Sequence, residues 1–207
     1  PKIKLNRHLI KIFNECADLP KNSMALECTL TEDEESIGIG LKERYGRYVT
    51  MHIKSGWSVY KDWKFDRWVE IAAFLTENGY QVIQIGGKDE QSIPGVVDLF
   101  GMPIKYSVSA IKHSEFHVGV DSFSNHVTWA VGKQSLILFG STSPTGSGYD
   151  QNVNVYLGMK CQPCYRENRE VSKAHGGPCP FDGECMERIT VDYIKQLLKE
   201  RFLLCKS

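Results

Sequence analysis

Four apolar runs of strand length, at residues 48–53, 80–85, 116–120 and 135–139, are separated by segments whose apolar residues recur with a helical period. Runs this short and this continuously apolar suit strands buried on both faces of a sheet. Parallel strands need crossover connections, usually helices, and sterics make those crossovers right-handed in nearly all cases. The pattern therefore restricts the chain to an open α/β sheet. Ligands of such sheets bind beyond the carboxyl ends of the strands, where loops and helix N-termini meet. Four connections matter on this basis, residues 54–62, 86–90, 100–106 and 121–124.

The helical segments are uneven. Trp68, Val69, Ala72, Ala73, Phe74 and Leu75 give a broad apolar face to a helix over 66–78, with Asp66 as its cap and Gly79 as its stop. Short helices are expected at 107–114 and 124–131, and one at 88–99 that Pro94 kinks or breaks. Leu5, Leu9, Ile10, Ile12 and Phe13 mark an amphipathic helix over 4–17, and Ile194, Leu197, Leu198 and Leu204 another over 190–203. Residues 18–47, with an acidic stretch at 29–35 and glycines at 38, 40 and 46, read as a linker with room for a short strand or helix. The chain thus divides into an interdomain helix and linker, 1–47, and an α/β domain, 48–207.

Charge and composition exclude several classes. Lys and Arg number 25 and Asp and Glu 25, so the net charge is zero, unlike a domain that binds nucleic acid through excess cations. At 42% hydrophobic and 24% charged residues the chain has a globular composition, and no apolar run approaches the ~20 residues of a bilayer span. The chain opens on Pro1 with no initiator methionine, so it is expected to be part of a longer protein. An odd total of seven cysteines that includes a C-x-x-C pair points to a reducing compartment, the cytoplasm.

Three loops carry candidate chemistry. The first gathers Lys54, Ser55, Trp57, Ser58, Tyr60, Lys61 and Trp63, so that Lys61 meets an anion while aromatics exclude water, or is a surface lysine among packed aromatics. In the second, Gly86 and Gly87 allow close approach of a ligand and Glu90 accepts hydrogen bonds from vicinal hydroxyls; a plain strand-to-helix turn is the alternative. The spacing is not G-x-G-x-x-G, so the dinucleotide fingerprint is absent. In the third, Asp121 ends a strand just before a helix N-terminus, which suits phosphate, while Asp121 itself binds sugar hydroxyls or serves as a helix cap. His126, one turn in, is a supporting or structural residue.

In order, these segments resemble the C-terminal domain of glycosyltransferase family 9, the ADP-heptose heptosyltransferases of bacterial lipopolysaccharide synthesis. The matching pieces are K-x-W at 61–63, the helix with Trp68, G-G-x-x-E at 86–90, Leu99 and Gly101, D-S-x-x-x-H at 121–126, L-F-G-S-T-S-P at 138–144 and C-M-x-x-I at 185–189. The S-G-W loop and the cysteine-rich insertion are most similar to the branch that heptosylates autotransporter adhesins. The resemblance implies a Rossmann-like half of a GT-B fold that holds the sugar nucleotide of an inverting transferase. By position, Lys61 stabilises the diphosphate leaving group, Glu90 holds the ribose, Ile104 and Lys105 lie near adenine, and Asp121 meets the sugar hydroxyls. The amides of Ser122, Phe123 and Ser124 meet the phosphates, with Ser55, Ser58 and His126 completing the donor set. Phe123 stands where the family usually has glycine, so its side chain turns away or narrows the site. The family's general base lies in an N-terminal acceptor domain. The chain alone is therefore expected to bind donor without transferring sugar efficiently to a protein or lipopolysaccharide acceptor.

Cys161, Cys164, Cys179 and Cys185 are spaced C-x2-C-x14-C-x5-C within a polar stretch that cannot hold its shape by core burial. Four thiolates suit one zinc or iron ion, in a finger over 158–188 that acts as a structural clip or an oligomer contact. Disulfides and reduced thiols are the competing readings. A non-catalytic, metal-stabilised interaction module that retains the transferase fold is the alternative function.

Overall fold

The structure, a computed structural model, describes residues 7–20, 23–165 and 179–203. Its strands are β1 (Tyr48–His52), β2 (Gln81–Gly86), β3 (Val97–Phe100), β4 (His117–Val120), β5 (Ser135–Leu138) and β6 (Val153–Val155). They pair in parallel throughout, in the order β3-β2-β1-β4-β5-β6. Strand order reverses between β1 and β4, which places the crevice of this α/β sheet beyond His52 and Val120.

The four anticipated strands form the centre of the sheet, and the two edges are the strands that escaped notice. Residues 88–96 form turns rather than the anticipated helix, because Pro94 lacks an N–H and Gly95 adopts a φ of +80°. The chain then enters β3, only partly buried along the sheet edge. β6 has three residues, too few for any period to show.

The helices are α1 (Leu9–Cys16), α2 (Glu32–Tyr45), α3 (Phe65–Glu77), α4 (Ile104–His113), α5 (Phe123–Ala130), α6 (Pro144–Ser147), α7 (Glu184–Glu187) and α8 (Val191–Leu198), the last running into a π-helical turn at Lys199–Leu203. Residues 4–6 of the first anticipated helix and Leu204 of the last lie outside the described residues. Asp66 does not cap α3: Lys64 occupies the cap position without a side-chain bond, and Asp66 sits in the first turn, where its charge complements the helix dipole.

The segment read as a linker contains a 14-residue helix, α2. Thr31 Oγ1 accepts from the Glu34 N–H at 3.3 Å and Glu34 Oε2 accepts from the Thr31 N–H at 2.8 Å, a reciprocal capping box. Four acidic residues in the first turn and Lys42 and Arg44 in the last suit the macrodipole. Gly38, which looks like a breaker, is a contact point. A Cβ there would stand 2.4 Å from the Ser109 carbonyl of α4, and the Gly38 N–H donates to Ser109 Oγ at 2.9 Å.

One apolar cluster unites Val49, Met51, Val118, Val120, Leu136 and Leu138 of the sheet with Trp68, Ile71 and Leu75 of α3 and with Ile194, Leu198 and Phe202 at the C-terminal end. Each such side chain contributes about 1.5–3 kcal/mol by leaving water. That core fixes the strand ends from which the site is built.

Candidate functional site

A cavity of about 530 Å³ opens beyond the carboxyl ends of β1 and β4. Lys61 is the last residue of a 3₁₀ turn, Val59–Lys61, whose start is capped by Ser58 Oγ accepting from the Tyr60 N–H at 3.2 Å. That turn brings Lys61 inward, so that only 7% of it is exposed. Its Nζ lies 3.0 Å from Asp121 Oδ2 and 5.6 Å from the centre of the Trp57 ring.

Asp121, 3% exposed, has its carboxylate filled. Lys61 and Thr142 Oγ1, the latter at 2.6 Å, serve Oδ2; Asn125 Nδ2 and Ser147 Oγ, both at 3.1 Å, serve Oδ1. A carboxylate offers about four lone-pair positions. Asp121 therefore ties together the 3₁₀ turn, α5 and the 142–147 loop.

Ser122 occupies the cap position of α5 without a side-chain bond to the helix. The first N–H groups of α5 are thus left for another acceptor, at the positive end of the helix. Ser122 Oγ is instead engaged with His52 Nδ1 at 2.8 Å, and His52 Nε2 lies 3.7 Å from Glu90 Oε1. Glu90 Oε1 accepts from the Gly87 N–H at 2.7 Å, folded so closely over Gly86 that a Cβ there would stand 2.6 Å from the carboxylate. Burial pushes the Glu90 carboxyl up, but the bonds from His52 and the Gly87 N–H outweigh it and hold the group below its usual range. Behind Ser122, Ser124 Oγ bonds His117 Nε2 at 3.0 Å, and His117 Nδ1 bonds Thr50 Oγ1 at 3.0 Å. Full burial holds the His117 imidazole down at about 3.

Of the residues singled out from the sequence, Ser55, Lys61, Asp121, Ser122, Phe123 and His126 line the cavity together. The Phe123 ring does not turn away: it forms part of the wall, edge-on to His52 at 5.0 Å. Ser58 and Ser124 are buried behind the wall. Glu90 adjoins through His52. Ile104 and Lys105 stand apart at the start of α4, Ile104 60% exposed and Lys105 bonded to the Thr29 carbonyl. His126 Nδ1 meets Tyr149 OH at 2.6 Å, and burial lowers its pKa.

Trp57, an aromatic of the first candidate loop, lines the cavity as well; sequence reasoning missed His52, Thr142, Ser147, Tyr165 and Leu9 of α1, all of which line it. The position of His52 at the end of a strand was a usable signal. Thr142 and Ser147 lie in a matched motif or just beyond it, without a distinguishing feature.

The expected four-cysteine metal centre is not shown among the described residues. Cys161, Cys164, Cys179 and Cys185 line a second cavity, of about 100 Å³, but no three His, Cys, Asp or Glu side chains among the described residues are grouped so as to hold a metal ion. Cys185 lies within α7, and Cys179 Sγ accepts from the Gly183 N–H at 3.4 Å. Burial, and then the neighbouring thiols, push Cys185 up to about 11. No disulfide joins the cysteines among the described residues, and residues 166–178 of the proposed finger lie outside the described residues. The two cavities share walls, because Tyr60, Ser141 and Cys164 face the thiols while the next residues, Lys61, Thr142 and Tyr165, face the larger cavity.

Comparison with known proteins matches this architecture. The chain is 23% identical over 151 residues to the inactive autotransporter heptosyltransferase BimC of Burkholderia thailandensis, covering 64% of this chain and 34% of BimC. Among solved structures, the family 9 glycosyl transferase of Veillonella parvula superposes with a TM-score of 0.72 at 16% identity, over 100% of this chain and 63% of that one. The dodecameric iron-containing heptosyltransferase TibC of enterotoxigenic E. coli, solved with ADP-D-β-D-heptose, superposes with a TM-score of 0.61 at 22% identity, over 74% of this chain and 44% of that one. The likeness to solved structures establishes the fold, and the chain spans about a third of BimC's length. The model of glycosyltransferase family 9 (heptosyltransferase) matches residues 4–175, so the chain belongs to that family.

Proposed function

We propose that the chain is the donor-binding part of an inverting heptosyltransferase, which takes the sugar of ADP-heptose and joins it to a hydroxyl acceptor, a protein serine in the autotransporter branch or the lipopolysaccharide core. One observation carries the reading: a buried Lys61–Asp121 pair at 3.0 Å, seated at the uncapped start of α5 inside a cavity at the sheet's switch point. In the reaction the acceptor oxygen attacks the anomeric carbon, the bond from that carbon to the diphosphate breaks, and the acceptor proton goes to a base outside this chain. Negative charge grows on the departing ADP. Fixed donors aimed at such charge are usually the largest catalytic contribution, and here they are the Lys61 ammonium and the amides of Phe123 and Ser124.

Asp121 takes a different part from direct sugar binding. With its acceptor positions filled it holds Lys61 in place and orients Thr142 and Ser147, whose oxygens, having given their protons to Asp121, can accept from sugar hydroxyls. Glu90, on the far side of His52, suits the ribose diol. No step is assigned to a metal. Iron or zinc enters only through the cysteine spacing and the likeness to the iron-containing TibC, and among the described residues no three His, Cys, Asp or Glu side chains are grouped as ligands. The odd cysteine total and the C-x-x-C pair support a reducing, cytoplasmic setting, and no helix among the described residues is long and apolar enough to cross a membrane. Assembly into a homo-oligomer is part of the same reading, from the dodecameric TibC.

A second reading, a non-catalytic binding module, is favoured by the inactive relative BimC and by the ring of Phe123 in the cavity wall. Calorimetry with ADP, ADP-heptose and UDP tests the first reading. The adenine nucleotides are expected to bind better than UDP and to lose affinity in Lys61→Ala and Glu90→Ala; equal, negligible binding of all three contradicts it. A longer chain that carries the acceptor domain and binds donor, yet transfers no sugar, supports the second.

A further inference from the structure

We propose that Tyr165 is a sugar-recognition residue, which brings the turn of Cys161 to Tyr165 into the donor site; the inference rests on the donor reading above. Tyr165 lines the larger cavity, yet its hydroxyl is buried and has no hydrogen-bond partner among the described residues. A buried hydroxyl without a partner is destabilising, and native folds keep few of them. The backbone at Tyr165 is also unfavourable, with a φ of +50°, a region that residues bearing a Cβ rarely adopt. It is held there from outside. The N–H groups of Cys164 and Tyr165 both donate to the Ser141 carbonyl, at 3.0 and 2.8 Å, and Gln162 Nε2 donates to the Gly140 carbonyl at 2.7 Å. A strained backbone pinned beside a cavity, with an unpaired polar group at its tip, fits a side chain placed for a ligand.

The sheet order indicates which part of the ligand it meets. Glu90 follows β2, Lys61 follows β1, Asp121 follows β4, and Ser141, the anchor of Tyr165, follows β5. Those strands are adjacent in the order β2-β1-β4-β5, so Glu90 and Tyr165 stand on opposite sides of the Lys61–Asp121 pair. A diphosphate on that pair, with its nucleoside toward Glu90, extends its sugar toward Tyr165. The nearby hydroxyls of Thr142 and Ser147 donate to Asp121 and are left as acceptors, whereas Tyr165 supplies a donor. Such a mixed set suits a polyol, whose hydroxyls both give and take hydrogen bonds. Burial, and then Tyr156 and Asp121, push the Tyr165 phenol up, so it keeps its proton at neutral pH.

Calorimetry of this chain with ADP and with ADP-heptose tests the assignment. Tyr165→Phe keeps the ring and removes the hydroxyl. ADP affinity is expected to stay within about twofold while ADP-heptose affinity falls about fivefold, the worth of one hydrogen bond. Tyr156→Phe, which alters a phenol outside this cavity, is expected to change neither. An unchanged ADP-heptose affinity in Tyr165→Phe, or an equal loss for both ligands, overturns the assignment. Thermal melting supplies a second readout: removing an unpaired hydroxyl should leave Tm unchanged or raised, and a fall of many degrees would make Tyr165 a structural residue instead. Failure of the parent chain to bind either nucleotide refutes the donor reading rather than the role of Tyr165.

Discussion

Replacing Asp121 by asparagine removes one charge at nearly constant size, and its cost should exceed that of Lys61→Ala for a reason visible in the hydrogen bonds. At 3.0 Å, two unit charges attract by about 5 kcal/mol at an effective dielectric of about 20, before desolvation is subtracted. Asp121 is the only ion-pair partner of Lys61 among the described residues, so Asp121→Asn leaves an ammonium buried and uncompensated. Breaking a buried pair in this way costs about 3–5 kcal/mol. Lys61→Ala leaves Asp121 with Thr142, Asn125 and Ser147, donors that keep most of its charge satisfied, and should cost about 1–2 kcal/mol. For a chain of 207 residues each kcal/mol moves Tm by about 2–4 °C. Asp121→Asn should therefore lower Tm by about 6–20 °C and Lys61→Ala by about 2–8 °C. The double variant should recover part of the Asp121→Asn loss, a coupling of at least ~1 kcal/mol. Thermal and urea denaturation of the four proteins measure this. Additive losses, or a larger cost for Lys61→Ala, would refute the pairing on which the site is built.

Other perturbations separate local causes. Gly38→Ala on α2 should lower stability by about 1–3 kcal/mol, because its Cβ meets the Ser109 carbonyl at 2.4 Å, whereas Gly40→Ala, with nothing within 4 Å, should raise it by up to ~1 kcal/mol through helix propensity; urea unfolding reads both. The folded-state pKa of His117 is about 3, below its ordinary 6.5, so the unfolded chain binds a proton that the fold refuses. That contribution is fully present above pH ~6.5 and is lost as pH falls toward 3, by up to ~1.4 kcal/mol per unit, so between pH 7 and 5 the parent should lose about 2 kcal/mol more than His117→Gln. Alkylation at pH 8 followed by peptide mapping should label exposed Cys16 well before Cys185, whose thiol is pushed up to about 11; equal labelling would contradict the burial of α7.

The centre of the sheet was legible because buried strands are written as continuous apolar runs, and the loops after them could be placed without knowing any contact. The edges were not, since β3 and β6 are short and partly exposed and carry no period. α2 was obscured by Gly38, whose purpose is a contact with α4 some 71 residues away, although the capping box at Thr31 was readable locally. In the site, Lys61, Asp121 and Ser122 were found from their places at strand and helix ends. What the sequence could not display was that Lys61 is held by Asp121, that His52 joins Ser122 to Glu90, or that Tyr165 enters the same cavity, because each depends on strands that are adjacent in space and remote in sequence. The cysteine spacing suggested a metal centre. Spacing along the chain says nothing of whether four thiols meet at a point; among the described residues the four line one cavity, and no three His, Cys, Asp or Glu side chains are grouped to hold a metal ion.

The location of the diphosphate is the most direct test of the donor reading. Titrating ADP-heptose into isotopically labelled chain and following backbone amide shifts should move Ser122, Phe123 and Ser124 at the start of α5 together with Lys61, and Gly87 beside Glu90. Shifts confined to another face of the sheet, or none at saturating ligand, would contradict the assignment of this cavity to the sugar nucleotide.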